Sequence, residues 1–397
     1  GVKVDRAFGV YRRGRERDAF VKTPDGRRDY IAKVWPGRCV FPDFLNRRVR
    51  EWWGREQARL QRAGVAGFWN DMNEPACFST RSKTLPETCR HRSDHGPMRH
   101  AEAHNVYGMQ MARASREGAL RHRPDERPFV ITRAAYAGTQ RHALLWTGDN
   151  ASTWEHLADS VQMLLNLGLS GFPFCGADAG GFLENATPEL YARWMQLAAF
   201  TPFFRNHTMI GTRPHEPWEF GPEVEAIARR FISLRYQLLP WWYCLFADAQ
   251  HNGTPVMRPL VWHDQDDPVA AACGTQFLLG SSLLVAPILE AGAVARSVYL
   301  PRGTWFDFWT GRKHRGGRHI VAEAALDQMP LFVRAGTILP MAALRQHTGG
   351  PPDSIITLHL WPGGTSTLDW YEDDGMSMNY ARGDAHGRRL RWDGSTL

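Results

Sequence analysis

With 397 residues, the chain is long enough for one large domain with an appendage, or for two to three domains. Hydrophobic residues make up 43% and charged residues 22%, ordinary for a globular protein, and no run approaches the roughly 18 apolar residues of a transmembrane helix. The formal charge of +7 raises nucleic acid as a partner, but the basic residues are mostly Arg scattered among acids, with no aromatic-bearing basic block and no zinc-finger spacing, so neither nucleic acid nor a membrane is expected.

In chain order, Val2-Lys3-Val4-Asp5 reads as the tail of a strand, followed by a polar, Arg-rich excursion. Trp35-Pro36 and Phe41-Pro42 predict a shaped loop, in which Trp35 either lines a pocket or folds the loop onto the body. Val49, Trp53 and Leu60 predict an amphipathic helix over residues 47–62. Val65-Ala66-Gly67-Phe68-Trp69 then reads as a short buried strand running into Asn70-Asp71-Met72-Asn73-Glu74-Pro75. Residues 77–99 read as a polar loop, and Ala103, Tyr107, Met111 and Ala114 mark the next helix. Two apolar strands follow, 128–133 ending in Arg133 and 143–149 ending in Asp149. Ser152 or Thr153 caps a helix with Leu157, Val161 and Leu164 on one face, which Gly168 ends. Gly171-Phe172-Pro173-Phe174-Cys175 leads into Gly176-Ala177-Asp178-Ala179-Gly180-Gly181-Phe182. Thr187-Pro188-Glu189 opens a further helix with cap, proline and acid in their preferred order. Val224, Ile227, Phe231, Leu234 and Leu238 keep one phase along a long helix from about residue 222, and 255–261 reads as a last strand.

Strands alternating with helices at this spacing imply βα units and a parallel sheet. Asp71, Arg133, Asp149, Asp178 and His207 recur at the strand ends. One such strand is compatible with a capping loop in which Asp71 and Asn73 bond backbone N–H groups. Several ending in Asp, Arg or His describe functional groups collected at the catalytic mouth of an α/β barrel. Past residue 262 the chain breaks into short strands divided by Gly and Pro, an all-β region, with another beginning near residue 342. The 6 Cys are dispersed without a Cys-x-x-Cys pair, which argues against structural zinc and against a disulfide scaffold. The 16 Trp and 20 Phe suit either sugar faces or a large aromatic core. Paired carboxylates among such aromatics suit double-displacement glycoside hydrolysis, which needs one ionised nucleophile and one protonated acid. Arg133 and His207 offer donors for sugar hydroxyls, and Trp69, Trp146 and Phe182 offer flat faces.

Trp69-Asn70-Asp71-Met72-Asn73-Glu74-Pro75, Gly148-Asp149-Asn150, the Gly176 to Phe182 motif and Arg205-Asn206-His207 resemble, in order, the signatures of glycoside hydrolase family 31, most closely its α-glucosidases. Glu372-Asp373-Asp374-Gly375 resembles a mark of that family's C-terminal β-region. The resemblance implies a (β/α)8 TIM barrel, N-terminally truncated over residues 1–262, with all-β C-terminal domains over 263–341 and 342–397. Its strands four to eight would be 65–71, 128–133, 143–149, 171–175 and 255–261, the end of the third lying near Val2-Lys3-Val4, so that the chain reads as a fragment of a longer product. It further implies Asp71 as nucleophile and Asp149 as general acid/base. Arg133, His207 and Asp178 would hold the sugar, and Trp35, Trp69, Met72, Trp146 and Phe182 would wall its site. Asp178 and Arg205 either touch the sugar or buttress the pocket, and Glu74 reads as support behind it. The implied activity is a retaining, exo-acting α-glucosidase on maltose-like α-glucosides, without metal or organic cofactor. Homo-oligomerisation and compartment stay open, with the cytoplasm as the default. The rival readings are α-xylosidase, transglucosidase, α-glucan lyase, or a non-catalytic carbohydrate-binding subunit.

Overall fold

The computed structural model describes residues 1–350 and 355–394, and its contacts divide them into two units, Gly1–Leu145 with Asp374–Asp384, and Trp146–Asp373 with the residues from Ala385. In the first unit, Val2–Lys3 (β1) pairs antiparallel with Gly37–Val40 (β3), which also pairs with Ala32–Val34 (β2). The stretch expected to end a barrel strand therefore stands in a small antiparallel sheet, completed by the strand that returns from the Trp35 loop. The Arg-rich excursion contains a helix, Gly9–Glu16 (α1), which buries Tyr11 and Gly14. Gly14 is required there because a Cβ would lie 2.3 Å from the Phe20 ring.

The predicted amphipathic helix forms as Arg47–Arg62 (α2), with the Asn46 side chain accepting from the Arg48 N–H as its cap. Gly67–Asn70 (β4) follows it. The polar loop beyond holds an unforeseen hairpin, Arg90–Ser93 (β5) and Gly96–Arg99 (β6). No apolar alternation announced it, because a line of buried polar groups anchors it. His91 Nδ1 lies 2.8 Å from Asp43 Oδ1, His91 Nε2 lies 3.0 Å from His100 Nδ1, and His100 Nε2 lies 3.2 Å from His104 Nδ1. Burial, reinforced by the flanking imidazoles, pushes His100 down to about 3. His100–His122 (α3) crosses α2 at Gly54 and Gly118, where a Cβ on Gly54 would stand 2.7 Å from the Gly118 Cα. Phe129–Thr132 (β7) returns parallel to β4, and Leu144–Trp146 (β8) lies parallel to β7 through Ile131 opposite Leu144 and Thr132 opposite Leu145. The β4–α3–β7 connection is a β–α–β unit of a parallel α/β sheet, and β7 reaches β8 through one short 3-10 turn, Thr139–Arg141.

In the second unit, Thr153 rather than Ser152 caps Trp154–Leu169 (α4), accepting from the His156 N–H. Gly168 does not end that helix. It lies inside it, where a Cβ would close to 3.2 Å on the Met257 carbonyl oxygen. Cys175–Gly176 (β9) and Asp178–Ala179 (β10) follow, then Pro188–Ala198 (α5) with its predicted Thr187 cap and first-turn Glu189. Arg205–Asn206 (β11) pairs parallel with β10. The long helix expected next forms as Pro222–Gln237 (α6), and a second helix that was not expected, Leu239–Asn252 (α7), follows it, with Pro240, which has no N–H to extend the first ladder, in its first turn. The last expected strand shrinks to Met257–Arg258 (β12) and joins the C-terminal β-region, pairing antiparallel with Phe277–Leu279. That six-stranded sheet buries Leu278, Leu284, Trp305 and Phe332. Among the described residues, no helix is long and apolar enough to cross a membrane.

One cation binds α5 to the β-region. Arg193, 2% exposed, donates through Nη1 to the carbonyls of Ala325 and Gln328 at 3.1 and 2.8 Å, and through Nη2 to those of Ala293 and Ala324 at 3.2 and 2.8 Å. Removing charged donors from buried carbonyls costs about 3 kcal/mol. Arg193→Ala is therefore expected to lower the melting temperature by about 5 °C. An unshifted transition in a calorimetric scan would exclude the clasp.

Candidate active site

In the first unit, the end of β4 is held from beneath. Gln57 Nε2 donates to Ser115 Oγ at 3.0 Å, and Ser115 Oγ donates to the buried Asn70 Oδ1 at 2.9 Å. The chain then turns sharply. Asp71 is exposed, and Met72 takes the left-handed conformation (φ 54°), which costs a residue with a Cβ about 1–2 kcal/mol. The Met72 N–H bonds Asp71 Oδ1 at 2.7 Å, and the Met72 side chain packs against the core cluster of Phe44 and Tyr107. Arg133, one residue past β7, spans two acids. Its Nη1 lies 3.1 Å from Asp71 Oδ1, while Nε and Nη2 donate to Glu74 Oε1 and Oε2 at 2.7 and 3.2 Å. Asn73, 1% exposed, bonds on both sides of Arg133: Oδ1 accepts from the Ala134 N–H at 3.1 Å, and Nδ2 donates to Thr132 Oγ1 at 2.9 Å. Trp35 is 79% exposed and meets Phe78 edge-on at 5.1 Å, in a loop tied to that segment by the Phe78 N–H bond to the Lys33 carbonyl. Trp69 is half-exposed on β4.

In the second unit, Trp146 is buried and Gly148 (φ 85°) turns the backbone so that Asp149 is exposed. Asn150, 8% exposed, donates from Nδ2 to the Asp178 carbonyl at 3.0 Å, and its Oδ1 accepts from the Phe182 N–H at 3.1 Å. Asp178, 1% exposed, takes Arg205 Nε at 2.9 Å and Nη2 on the same oxygen, and the Arg205 guanidinium stands 5.3 Å from the Trp146 ring centre. Pairing of this kind is what a buried carboxylate requires. Phe182 and His207 stack at 5.2 Å and 18°, joined by the Met209 N–H bond to the Phe182 carbonyl. The glycines of the motif have steric reasons. A Cβ on Gly176 would meet the Phe203 carbonyl at 2.1 Å, and one on Gly181 (φ 91°) would meet Ser152 Cα at 2.5 Å. The turn before β11 hangs on Arg235, which donates to the carbonyls of Ala199, Thr201 and Pro202 at 2.9, 2.7 and 2.9 Å and which burial lowers to about 9.

Of the residues singled out in sequence, Asp71 stands with Arg133, Trp146 with Asp178 and Arg205, and Phe182 with His207. The two acids on Arg133, the paired amide bonds of Asn73 and Asn150, and Arg235 were not foreseen. For the two asparagines alone there was a signal, an Asn close after each candidate aspartate. Among the described residues, no group of three or more His, Cys, Asp or Glu is placed to hold a metal ion. A cleft of about 630 Å³ in the second unit, between α7 and the Ser366–Glu372 strand, is lined by Asp248, Arg258, Trp370 and Arg389 and includes none of these residues. Two of its arginines are paired, Arg258 with Asp248 and Arg389 with Asp369.

The model of the glycosyl hydrolases family 31 TIM-barrel domain matches residues 1–245, and that of the glycosyl hydrolase family 31 C-terminal domain matches residues 253–339. Alpha-glucosidase 2 of Bacillus thermoamyloliquefaciens is 44% identical over 386 residues, covering 97% of this chain and 49% of that protein. A family 31 dextranase of Flavobacterium johnsoniae, solved with glucose, superposes with a TM-score of 0.91 at 34% identity, over 96% of this chain and 48% of that one. A family 31 α-xylosidase of Xanthomonas citri does so with a TM-score of 0.85 at 29% identity, over 98% of this chain and 44% of that one. The chain thus spans about half the length of the proteins it matches.

Proposed function

The chain belongs to glycoside hydrolase family 31, and from that premise we propose that it carries the catalytic machinery of a retaining, exo-acting α-glucosidase. The observation that carries the reading is the Arg133 guanidinium, which meets Asp71 with one nitrogen while Glu74 holds the other two. In this reading, Asp71 attacks the anomeric carbon of a terminal α-glucosyl residue as Asp149 gives its proton to the departing oxygen, leaving a β-glucosyl ester on Asp71. Asp149, now ionised, takes a proton from water as that water opens the ester, which restores the α-configuration. Arg133, His207 and Asp178 bond the sugar hydroxyls, and Trp35, Trp69, Met72, Trp146 and Phe182 wall the glucose. The name of the Bacillus relative favours glucose.

The Xanthomonas neighbour favours a second reading, an α-xylosidase, in which the same residues accept a sugar lacking the hydroxymethyl group. Proton NMR of p-nitrophenyl α-glucoside and α-xyloside hydrolysis separates the two. The proposal expects α-glucose to appear before mutarotation and the glucoside to be the faster substrate. β-Glucose appearing first would refute retention, and a faster xyloside would give the site to xylose.

Glu74 has its own test. Glu74→Gln replaces a charged, two-point hold on Arg133 by a neutral one. The expected loss in kcat/KM is about 10- to 100-fold, the worth of one charge-assisted hydrogen bond of about 1.5–3 kcal/mol. Undiminished kcat/KM would show that Arg133 needs no such hold.

A further inference from the structure

The two buried asparagines share one arrangement. Each follows a candidate catalytic aspartate by one or two residues, and each uses both ends of its amide to bind a segment that carries sugar-binding candidates. Asn73 takes the backbone N–H of Ala134 on its oxygen and gives a hydrogen to Thr132 Oγ1, while Thr132 Oγ1 itself donates to the Ala134 carbonyl at 2.9 Å. The closed ring of bonds grips the residues on either side of Arg133, and the same amide reaches the Gly108 carbonyl on α3 at 3.4 Å. Asn150 binds both ends of the loop that bears Asp178 and Phe182, through the Asp178 carbonyl and the Phe182 N–H.

We propose that Asn73 and Asn150 are positioning residues, Asn73 setting the nucleophile Asp71 against Arg133 and Asn150 setting the acid/base Asp149 against the 178–182 loop. The inference rests on the roles proposed above for those two aspartates. The chemistry calls for an amide in both places. A carboxylate has no hydrogen to give Thr132 Oγ1 or the Asp178 carbonyl, and an aliphatic side chain takes the acceptor from the Ala134 N–H and the amide hydrogen from the Asp178 carbonyl, while the Phe182 N–H keeps only its 2.7 Å bond to the Asn150 backbone carbonyl. Loss of the Asn73 amide frees the segment around Arg133, and loss of the Asn150 amide frees the Asp178 end of its loop, and ångström-scale placement of each carboxyl group depends on these holds.

Because the two aspartates act in different ways, the two variants leave different signatures. Fluoride departs without protonation, so kcat/KM for α-glucosyl fluoride is nearly blind to a displaced acid, whereas kcat/KM for maltose is not. Asn150→Ala is expected to lower kcat/KM for maltose about 10- to 100-fold while changing that for the fluoride less than threefold, and to blunt the basic limb of the pH profile. Asn73→Ala is expected to lower both substrates alike by about 10- to 100-fold. It should also slow the rate constant of covalent trapping by 5-fluoro-α-glucosyl fluoride while the fraction finally trapped stays near one per chain. A purely structural asparagine would lower the trapped fraction and leave that rate constant unchanged. Thr132→Val, which removes the partner of Asn73 from the other side, and Asn150→Ser serve where an alanine variant does not fold. Equal losses on both substrates for Asn150 variants, or an unchanged trapping rate for Asn73 variants, would overturn the proposal. Unaltered protein labelled away from Asp71 would instead refute the underlying assignment, and the inference would fall with it.

Discussion

Asp71→Asn is expected to abolish turnover of maltose and of α-glucosyl fluoride together, since neither leaving group spares the enzyme the covalent step. The scale is about 10⁶-fold in kcat, that of deleting a nucleophile in other hydrolases. Asp71 is exposed at the end of β4, and Arg133 keeps its two bonds to Glu74 without it, so the melting temperature should stay within about 1 °C. The stereochemistry of rescue gives the sharper check. Azide entering the space left by the carboxylate attacks the α-glucoside from the opposite face in a single displacement and yields β-glucosyl azide. Rescue to the α-azide, or full activity without azide, would remove Asp71 from the role.

Asp149→Ala is expected to divide substrates by leaving group. Proton donation to a poor leaving group is worth about 10²- to 10⁴-fold. The loss in kcat/KM for maltose should fall in that range, and that for α-glucosyl fluoride should stay below about tenfold. The glucosyl ester then accumulates, because no base activates the water that opens it, and a burst of fluoride precedes the steady state. Azide needs no such base. It attacks the ester from the face where water would enter, so rescue gives the α-azide, the mirror outcome to Asp71→Asn. Equal losses on both substrates would show that Asp149 is not the proton donor.

The parts of the fold legible in sequence were those whose periodicity is apolar. The helix at Arg47–Arg62, the Thr187-capped α5 and the strands β4, β7 and β8 each lie within their predicted spans. The parts missed were held by polar or steric means. The β5–β6 hairpin is anchored by Asp43, His91 and His100, side chains that a hydropathy pattern reads as solvent-facing. Gly168 looked like a helix stop, yet it is the point where α4 passes the Met257 carbonyl. The apolar phase from Val224 to Leu238 marked α6, whereas the helix behind it, α7, was not foreseen. At the candidate site, residue types suggested the chemistry proposed above, because Asp and Arg at strand ends have few plainer uses. Partnership was not legible. Nothing in the one-dimensional pattern says that Arg133 holds Glu74 with two nitrogens, or that Arg205 stands between Asp178 and Trp146.

The central claim is that a glucosyl ester forms on Asp71. The protein is incubated with 5-fluoro-α-glucosyl fluoride, whose ring fluorine slows both formation and hydrolysis of the ester while its fluoride leaving group restores the speed of formation, then digested and sequenced by tandem mass spectrometry. The account predicts one fluoroglucosyl group per chain, on Asp71 in the Trp69-Asn70-Asp71-Met72 peptide. Label on Glu74, on Asp149 or on any other carboxylate would contradict it.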